Sequence, residues 1–308
     1  MRSFDRRQLL YLAGAAAAAG PLNAAARAPL VHSESPGPDW KRCRPKKALK
    51  IGMIQVGDSL LARFQAAKAA GFDGVELDSP WDHDPAEVLE ARDAAGIAIP
   101  GVVDSRHWHD TLGDPDAKVR AKGRAALETA IHDCKRFGGT TVLLVPAVVN
   151  QRIAYQAAYE RSQAEIRAVL PLAAEQEITI AVENVWNNFL LSPMEAARYV
   201  DEFESPWVGW YFDVGNVVKY GWPEQWIATL GKRIVKLDIK EYSHQRGFDV
   251  KIGDGDCGWS RVMTALDRTG FGEGWAAAEV PGGDAERLRD IAERMDRVFA
   301  SKRESKSP

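Results

Sequence analysis

TIAVENVWNNFLLSPMEAARYVDEFESPWVGWYFD, residues 179–213, holds one whole unit of the pattern that decides the fold. Thr179 to Asn184 is a short apolar run. Pro193 to Glu204 reads as a helix behind a Ser-Pro start, and Val208 to Asp213 is apolar again. Two short buried strands joined by an amphipathic helix make a βαβ unit, whose strands run parallel. Both strands end in an acid, Glu183 and Asp213.

The same alternation extends in both directions. The other strand candidates are Lys50 to Ile54, Gly74 to Asp78, Ala98 to Asp104, Thr140 to Pro146, Ile234 to Lys240 and Trp275 to Val280. Between and after them lie helix candidates at Leu60 to Ala70, Pro85 to Ala95, Pro115 to Phe137, Tyr155 to Glu177, Pro223 to Leu230, Trp259 to Thr269 and Ala285 to Phe299. Near-continuous apolar strands suit burial on both faces. Gly71 and Gly96 follow helices where a left-handed cap is wanted, and Pro115, Pro193 and Pro223 stand at first helical positions. Eight such units in about 250 residues match an α/β (β/α)8 TIM barrel, a single domain. An open doubly wound sheet usually has fewer strands and often a Gly-rich nucleotide turn; IGMIQVGDSL, residues 51–60, lacks the GxGxxG spacing.

Composition agrees. The chain has 308 residues, 45% of them hydrophobic, with 40 Lys plus Arg against 43 Asp plus Glu. That much apolar surface excludes a disordered chain. Three cysteines, Cys43, Cys134 and Cys257, form no CxxC pair, which excludes a disulfide scaffold and a zinc ribbon, and no functional cysteine is expected. Residues 1–28 have a basic start, Arg6-Arg7, an apolar run from Leu9 to Gly20 and small residues ending at Ala28, which is the pattern of a twin-arginine signal peptide. The run falls short of the ~20 residues that span a bilayer, so no stable membrane anchor is expected. Export machinery of the twin-arginine type and a periplasmic location follow. Without the signal, 36 basic residues face 42 acidic ones, a formal charge of −6 that argues against a nucleic-acid partner. The basic stretch WKRCRPKKALK, Trp40 to Lys50, reads as a solvated lead-in. The expected layout is signal 1–28, linker 29–49, barrel 50–300 and tail 301–308. A homo-oligomer remains open.

In a barrel of this kind the chemistry sits where strands end. The last four strands end in Glu183, Asp213, Asp238 and Glu279, each about one βα unit from the next and each among apolar neighbours. One such acid alone reads as a cap or an ion pair. Four converging acids repel unless a cation joins them, and the nearby Lys219, Lys236, Lys240 and Arg246 do not match them one for one. A divalent metal answers this, and an all-oxygen ligand set favours Mn2+ or Mg2+ over Zn2+.

The stretches GFDGVELD, VVDSRHWH, ENVWNNFLLSP, WVGWYFDVGNVVKYGWPEQWI, GKRIVKLDIKEYS and GWAAAEVPGG together resemble the xylose-isomerase-like TIM-barrel superfamily of sugar-phosphate isomerases and epimerases. The branch most similar is that of hexulose-phosphate isomerase or xylulose-phosphate 3-epimerase, and the likeness covers roughly residues 50 to 300. It implies that Glu183 is both metal ligand and catalytic base, that Asp213 is a ligand, and that Glu279 is a ligand and the second acid/base. It implies that His107 faces the sugar and that Arg246 holds substrate hydroxyls. One position departs. Family members usually carry histidine in the seventh strand, where KLDIKE has Asp238, and His244 is a loop candidate to supply the missing nitrogen.

Other residues carry two readings. Glu76 ends the second strand as a pocket residue or a structural acid. Trp81, Trp108 and Trp186 near strand ends are sugar platforms or packing, with Trp186 taken as substrate-binding. GDGDCG, residues 253–258, lacks the calcium-loop pattern and reads as a flexible βα loop. The expected activity is isomerisation or epimerisation of a small-molecule sugar by proton transfer through an enediolate. Export favours a free or oxidised sugar, or a glycoside fragment, over a sugar phosphate. The competing readings are a non-catalytic periplasmic sugar-binding protein and an endonuclease IV-like phosphodiesterase, which would need several histidine ligands and a basic groove.

Overall fold

The computed structural model describes residues 41–304. The signal reading, most of the linker and the end of the tail lie outside the described residues. Eight parallel strands close into a barrel in chain order. They are β1 (Lys46–Lys50), β2 (Gly74–Ser79), β3 (Gly101–Asp104), β4 (Thr141–Leu144), β5 (Thr179–Glu183), β6 (Val208–Asp213), β7 (Ile234–Ile239) and β8 (Trp275–Ala278). The helices are α1 (Leu60–Ala69), α2 (Pro85–Ala95), α3 (Ala117–Arg136), α4 (Tyr155–Gln176), α5 (Pro193–Asp201), α6 (Val214–Val218), α7 (Pro223–Leu230), α8 (Trp259–Thr269) and α9 (Ala285–Phe299). The (β/α)8 expectation holds, with the short α6 as an addition between β6 and α7.

Local chemistry sets the helix ends. Ser59, Asp84, Asp116, Ser192 and Asp284 each accept a first-turn backbone N–H through the side chain, which satisfies one donor the helix cannot. Gly96 ends α2 at φ 61°, a conformation costly for any residue with a Cβ. Among the described residues no helix is long and apolar enough to cross a membrane.

Two strand expectations are corrected. The first strand is Lys46–Lys50 rather than Lys50 to Ile54, and residues 51–53 form a 3-10 turn. The stretch read as a solvated lead-in therefore ends inside the barrel wall. Lys47 and Ala48 pair with Ala276 and Ala277 of β8, and Lys50 pairs with Glu76 of β2. Its lysines hid the strand, yet each has a partner: Lys46 lies over the Trp275 ring, Lys47 Nζ is 2.6 Å from Asp296, and Lys50 binds acids inside the barrel. β3 starts at Gly101 rather than Ala98, because Pro100 offers no N–H to the ladder.

The apolar core lies between strands and helices. Inside the barrel only Leu143, Ala181 and Tyr211 form a small buried hydrophobic group. Val103 and Val235 pack against this group, and polar side chains fill the layers around it, as the register shows. Glu183 pairs with Tyr211, Tyr211 with Lys236, and Asp213 with Asp238. Strand side chains alternate between faces, so Lys236 and Asp238, or Tyr211 and Asp213, point into the barrel one layer apart.

Candidate active site

The site begins with a hydrogen-bonded knot between β5 and β6. Asn184 Nδ2 donates to the Asp213 carbonyl at 2.7 Å, while its Oδ1 accepts from the Asp213 N–H and from Trp210 Nε1, both at 3.0 Å. Asn216 Nδ2 donates to the Asn184 carbonyl at 3.0 Å, and Trp186 Nε1 donates to the Asn216 carbonyl at 2.9 Å. The asparagines of the EN and FDVGN motifs thus fix the two strand ends against each other. Asp213 caps α6 by accepting the Asn216 N–H at Oδ1, 2.6 Å away, which leaves Oδ2 for the barrel axis.

Glu183, Asp213, Asp238 and Glu279 each present one carboxylate oxygen so that the four lie within 4.8 Å of one another. Glu183, Asp213 and Asp238 are buried, and Glu279 follows β8, its N–H donating to the Ile239 carbonyl at 3.1 Å. One oxygen of each acid is buried and outside hydrogen-bond geometry; those of Asp213, Asp238 and Glu279 face ammonium groups, and that of Glu183 has, among the described residues, neither a hydrogen bond nor an ion pair. Two ammonium groups enter the cluster. Lys240 Nζ is 2.6 Å from Glu279 and 3.2 Å from Asp213, and Lys50 Nζ is 3.0 Å from Asp238. Among the described residues, no ion pair within 4.0 Å reaches Glu183.

Electrostatics follow from this geometry. Burial, with Glu279, Asp238 and Asp213 nearby, pushes the Glu183 carboxyl well above the ordinary range. Burial likewise raises Asp238 well above it, although Lys50 opposes the shift. Asp213 is raised to about 6 by burial, with Lys240 pulling the other way. At Glu279 burial also acts upward, but Lys240 and Lys50 override it and hold the carboxyl below its usual value.

Below the cluster lies a second polar layer. Glu76 is 2.7 Å from Lys50 and 2.8 Å from Lys236, and Tyr211 Oη donates to it at 2.8 Å. Lys236 also donates to the Pro100 carbonyl at 2.8 Å. Gly101 makes room for that ammonium, since a Cβ there would sit 2.6 Å from Lys236 Nζ. Burial would raise the Glu76 carboxyl, but Lys236 and Lys50 hold it down to about 2. The four-acid cluster and the layer beneath it together hold five acids and three lysines, a formal charge of −2 with all of them ionised, which one divalent cation cancels. The orphaned Glu183 oxygen and the all-carboxylate donor set fit such an ion.

A cavity of about 440 Å3 opens above the acids, and Glu183, Glu279, His107, Trp186, Lys240 and Phe248 are among its walls. His107 is buried, and its Nδ1 accepts the Val145 N–H at 3.2 Å. Burial lowers its pKa to about 4, so the ring is neutral and its proton sits on Nε2. Trp186 is part exposed, tilted against Phe248 at 4.8 Å.

Three sequence candidates lie elsewhere. Glu76 does not line the cavity and sits in the sealed layer beneath it. Arg246 is exposed and donates to the Asp254 carbonyl at 3.2 Å. His244 is exposed and outside the carboxylate group. Residues 253–258, read as a flexible loop, are held by the buried Glu241, which accepts from the Gly253 and Cys257 N–H groups at 2.7 and 3.1 Å. The cysteines are free and buried. Sequence reading missed Lys50, Asn184, Asn216 and Phe248 as parts of the site. A period-2 reading of KKALK would have put Lys46, Ala48 and Lys50 on one face and pointed Lys50 to the rim.

The family model described as xylose isomerase-like TIM barrel matches residues 64–300. L-ribulose-5-phosphate 3-epimerase UlaE of Escherichia coli K12 is 25% identical over 266 residues, covering 79% of this chain and 94% of that protein. Among solved structures, 3-keto-D-glucoside 4-epimerase YcjR of E. coli superposes with a TM-score of 0.71 at 15% identity, covering 84% of this chain and 100% of that one. The IolI protein with a binding zinc atom superposes with a TM-score of 0.71 at 17% identity, covering 83% and 98%. These two likenesses show the fold.

Proposed function

Because the chain belongs to the xylose isomerase-like TIM-barrel family, we propose that it is a metal-dependent sugar epimerase or isomerase working by proton transfer beside a carbonyl. The observation that carries this reading is the convergence of four carboxylate oxygens within 4.8 Å. Relatives named as epimerases, and one solved with zinc, support it.

Glu183, Asp213, Asp238 and Glu279 would hold the ion. When bound, a divalent cation supplies positive charge beside the carbonyl oxygen, where negative charge develops as the neighbouring carbon loses its proton. Oxygen-only ligation favours Mn2+ or Mg2+.

Glu183 and Glu279 face the cavity from different strand ends. Their surroundings drive their proton affinities apart, upward for Glu183 and downward for Glu279. That is the pattern of an acid/base pair, in which one group removes a proton and the other returns it, with the roles exchanged in the reverse direction. Return to the same carbon from its other face gives an epimer, and return to the neighbouring carbon gives an isomer. His107 donates from Nε2 to a substrate oxygen. The proposal includes export: the Arg6-Arg7 leader takes the protein out of the cytoplasm, and Lys at both positions should retain it there. A wild-type protein found only in the cytoplasmic fraction removes this part.

The test is incorporation of solvent deuterium into a panel of ketoses by the Mn2+-supplemented protein, followed by NMR. Glu183→Gln should lower exchange by about 100- to 10,000-fold, the range of general acid–base catalysis. Exchange that survives this variant unchanged sinks the proposal.

A further inference from the structure

The upper half of the cavity has no role in the proton transfer, and its chemistry is unlike that of the floor. Trp108, Trp186 and Phe248 line it, 49%, 42% and 39% exposed. Large aromatic side chains left this open beside a polar site are surface awaiting an occupant. They stand on different sides. Trp108 follows β3 and Phe248 follows β7, which lie across an eight-stranded barrel from each other. Trp186 and Phe248 brace one another, and Phe248 lies 5.3 Å from Lys240 Nζ, so this wall rises directly from the carboxylates. Opposite, Trp108 packs edge-on against His107 at 5.5 Å.

Charge says what the occupant is not. The cavity's only lining cations among the described residues are Lys50 and Lys240, and both are committed to carboxylates. Lys219 lies over the Trp186 ring at 4.0 Å without lining the cavity. A phosphate would need cationic or backbone N–H donors in the cavity, and the exposed aromatic faces offer it none. The volume of about 440 Å3 lies within the ~300–1,000 Å3 range of drug-sized ligands, ample for more than the reacting sugar.

We propose that the aromatic walls formed by Trp108, Trp186 and Phe248 make a subsite for a second, uncharged ring, so that the substrate is a glycosylated sugar rather than a sugar phosphate. This rests on the epimerase reading for the reacting half. The reacting ring keeps its carbonyl at the carboxylates, and the appended ring lies between Trp108 and Phe248, with Trp186, whose own ring is covered by Lys219 and Phe248, bracing that wall.

The test uses three ketoses that differ at one oxygen: D-fructose, its 6-O-glucosyl derivative isomaltulose, and D-fructose 6-phosphate. Each is offered to the Mn2+-supplemented protein, with deuterium incorporation and quenching of tryptophan fluorescence as separate readouts. Isomaltulose should bind at least about tenfold more tightly than fructose, with the phosphate no better than fructose. Trp108→Ala with Phe248→Ala should bring the isomaltulose-to-fructose ratio close to one, with an unchanged circular dichroism spectrum showing that the fold persists. Isomaltulose bound no better than fructose, including binding of neither, overturns the subsite, as does a preference for the phosphate. Exchange from fructose without gain from the second ring removes the subsite and leaves the epimerase reading. Preferential binding of isomaltulose with no exchange from any sugar does the reverse.

Discussion

Glu76 and Glu183 are both glutamates on inward strand positions, both almost wholly buried, and the barrel treats them oppositely. Glu76 receives two ammonium groups and a phenol hydroxyl, and its carboxyl is held down to about 2. Glu183 receives three other carboxylates, keeps an oxygen without a partner, and is pushed well above its ordinary range. Burial alone does not separate a structural acid from a functional one. The balance of charge around it does, because a buried ion persists only where something compensates it.

The contrast is sharpest when each half is broken. Lys236→Met removes the fully buried partner of Glu76 and should destabilise the fold by about 3–5 kcal/mol, the usual loss when one member of a buried pair is deleted. Urea unfolding measures this, and a loss below about 1 kcal/mol would mean that the lower layer is not a structural pair. Glu183→Gln acts the other way in the metal-free protein. It removes a repelled carboxyl, so the melting temperature should rise by about 2–4 °C, the response to ~1 kcal/mol in a chain of this order of size. A fall would show that Glu183 is compensated after all.

A pH test follows from the upper layer. Asp213 is raised to about 6, and Glu183 and Asp238 are raised well above their ordinary values. The folded metal-free protein therefore keeps protons that the unfolded chain has released. Their stabilising contribution is complete below the unfolded values near 4 and is lost as pH rises through about 6 and beyond. A divalent ion replaces those protons. The gain in melting temperature on adding Mn2+ should accordingly be larger at pH 7.5 than at pH 5, and an equal gain at both would contradict ligation by these acids. The smallest expected effect is in ion choice: Asp238→His adds a nitrogen donor and should move preference from Mn2+ toward Zn2+ by about tenfold, read by competition between the two ions.

The barrel was legible because its signal is periodic. Apolar strands recur with proline and glycine at the helix ends, and the four acids repeat at one per βα unit. β1 was displaced because the lysines of KKALK imitate a solvated surface, and only the closed sheet reveals their partners, the Trp275 ring for Lys46 and acids for Lys47 and Lys50. Asn184 and Asn216 went unassigned because their work is hydrogen bonding between strand ends that lie far apart in sequence. Arg246 carried a role by resemblance, and the fold turns it to the surface beside Asp254. Phe248 sits in the β7–α8 loop, where no periodicity marks its direction.

Calorimetric titration of metal-free protein with Mn2+ tests the shared ion most directly, comparing wild type with Asp213→Asn and Glu76→Gln. One ion per chain is expected, with affinity lost in Asp213→Asn and retained in those Glu76→Gln molecules that fold. Absence of binding in the wild type, or binding that Asp213→Asn leaves intact, would contradict a metal centre built on these four carboxylates.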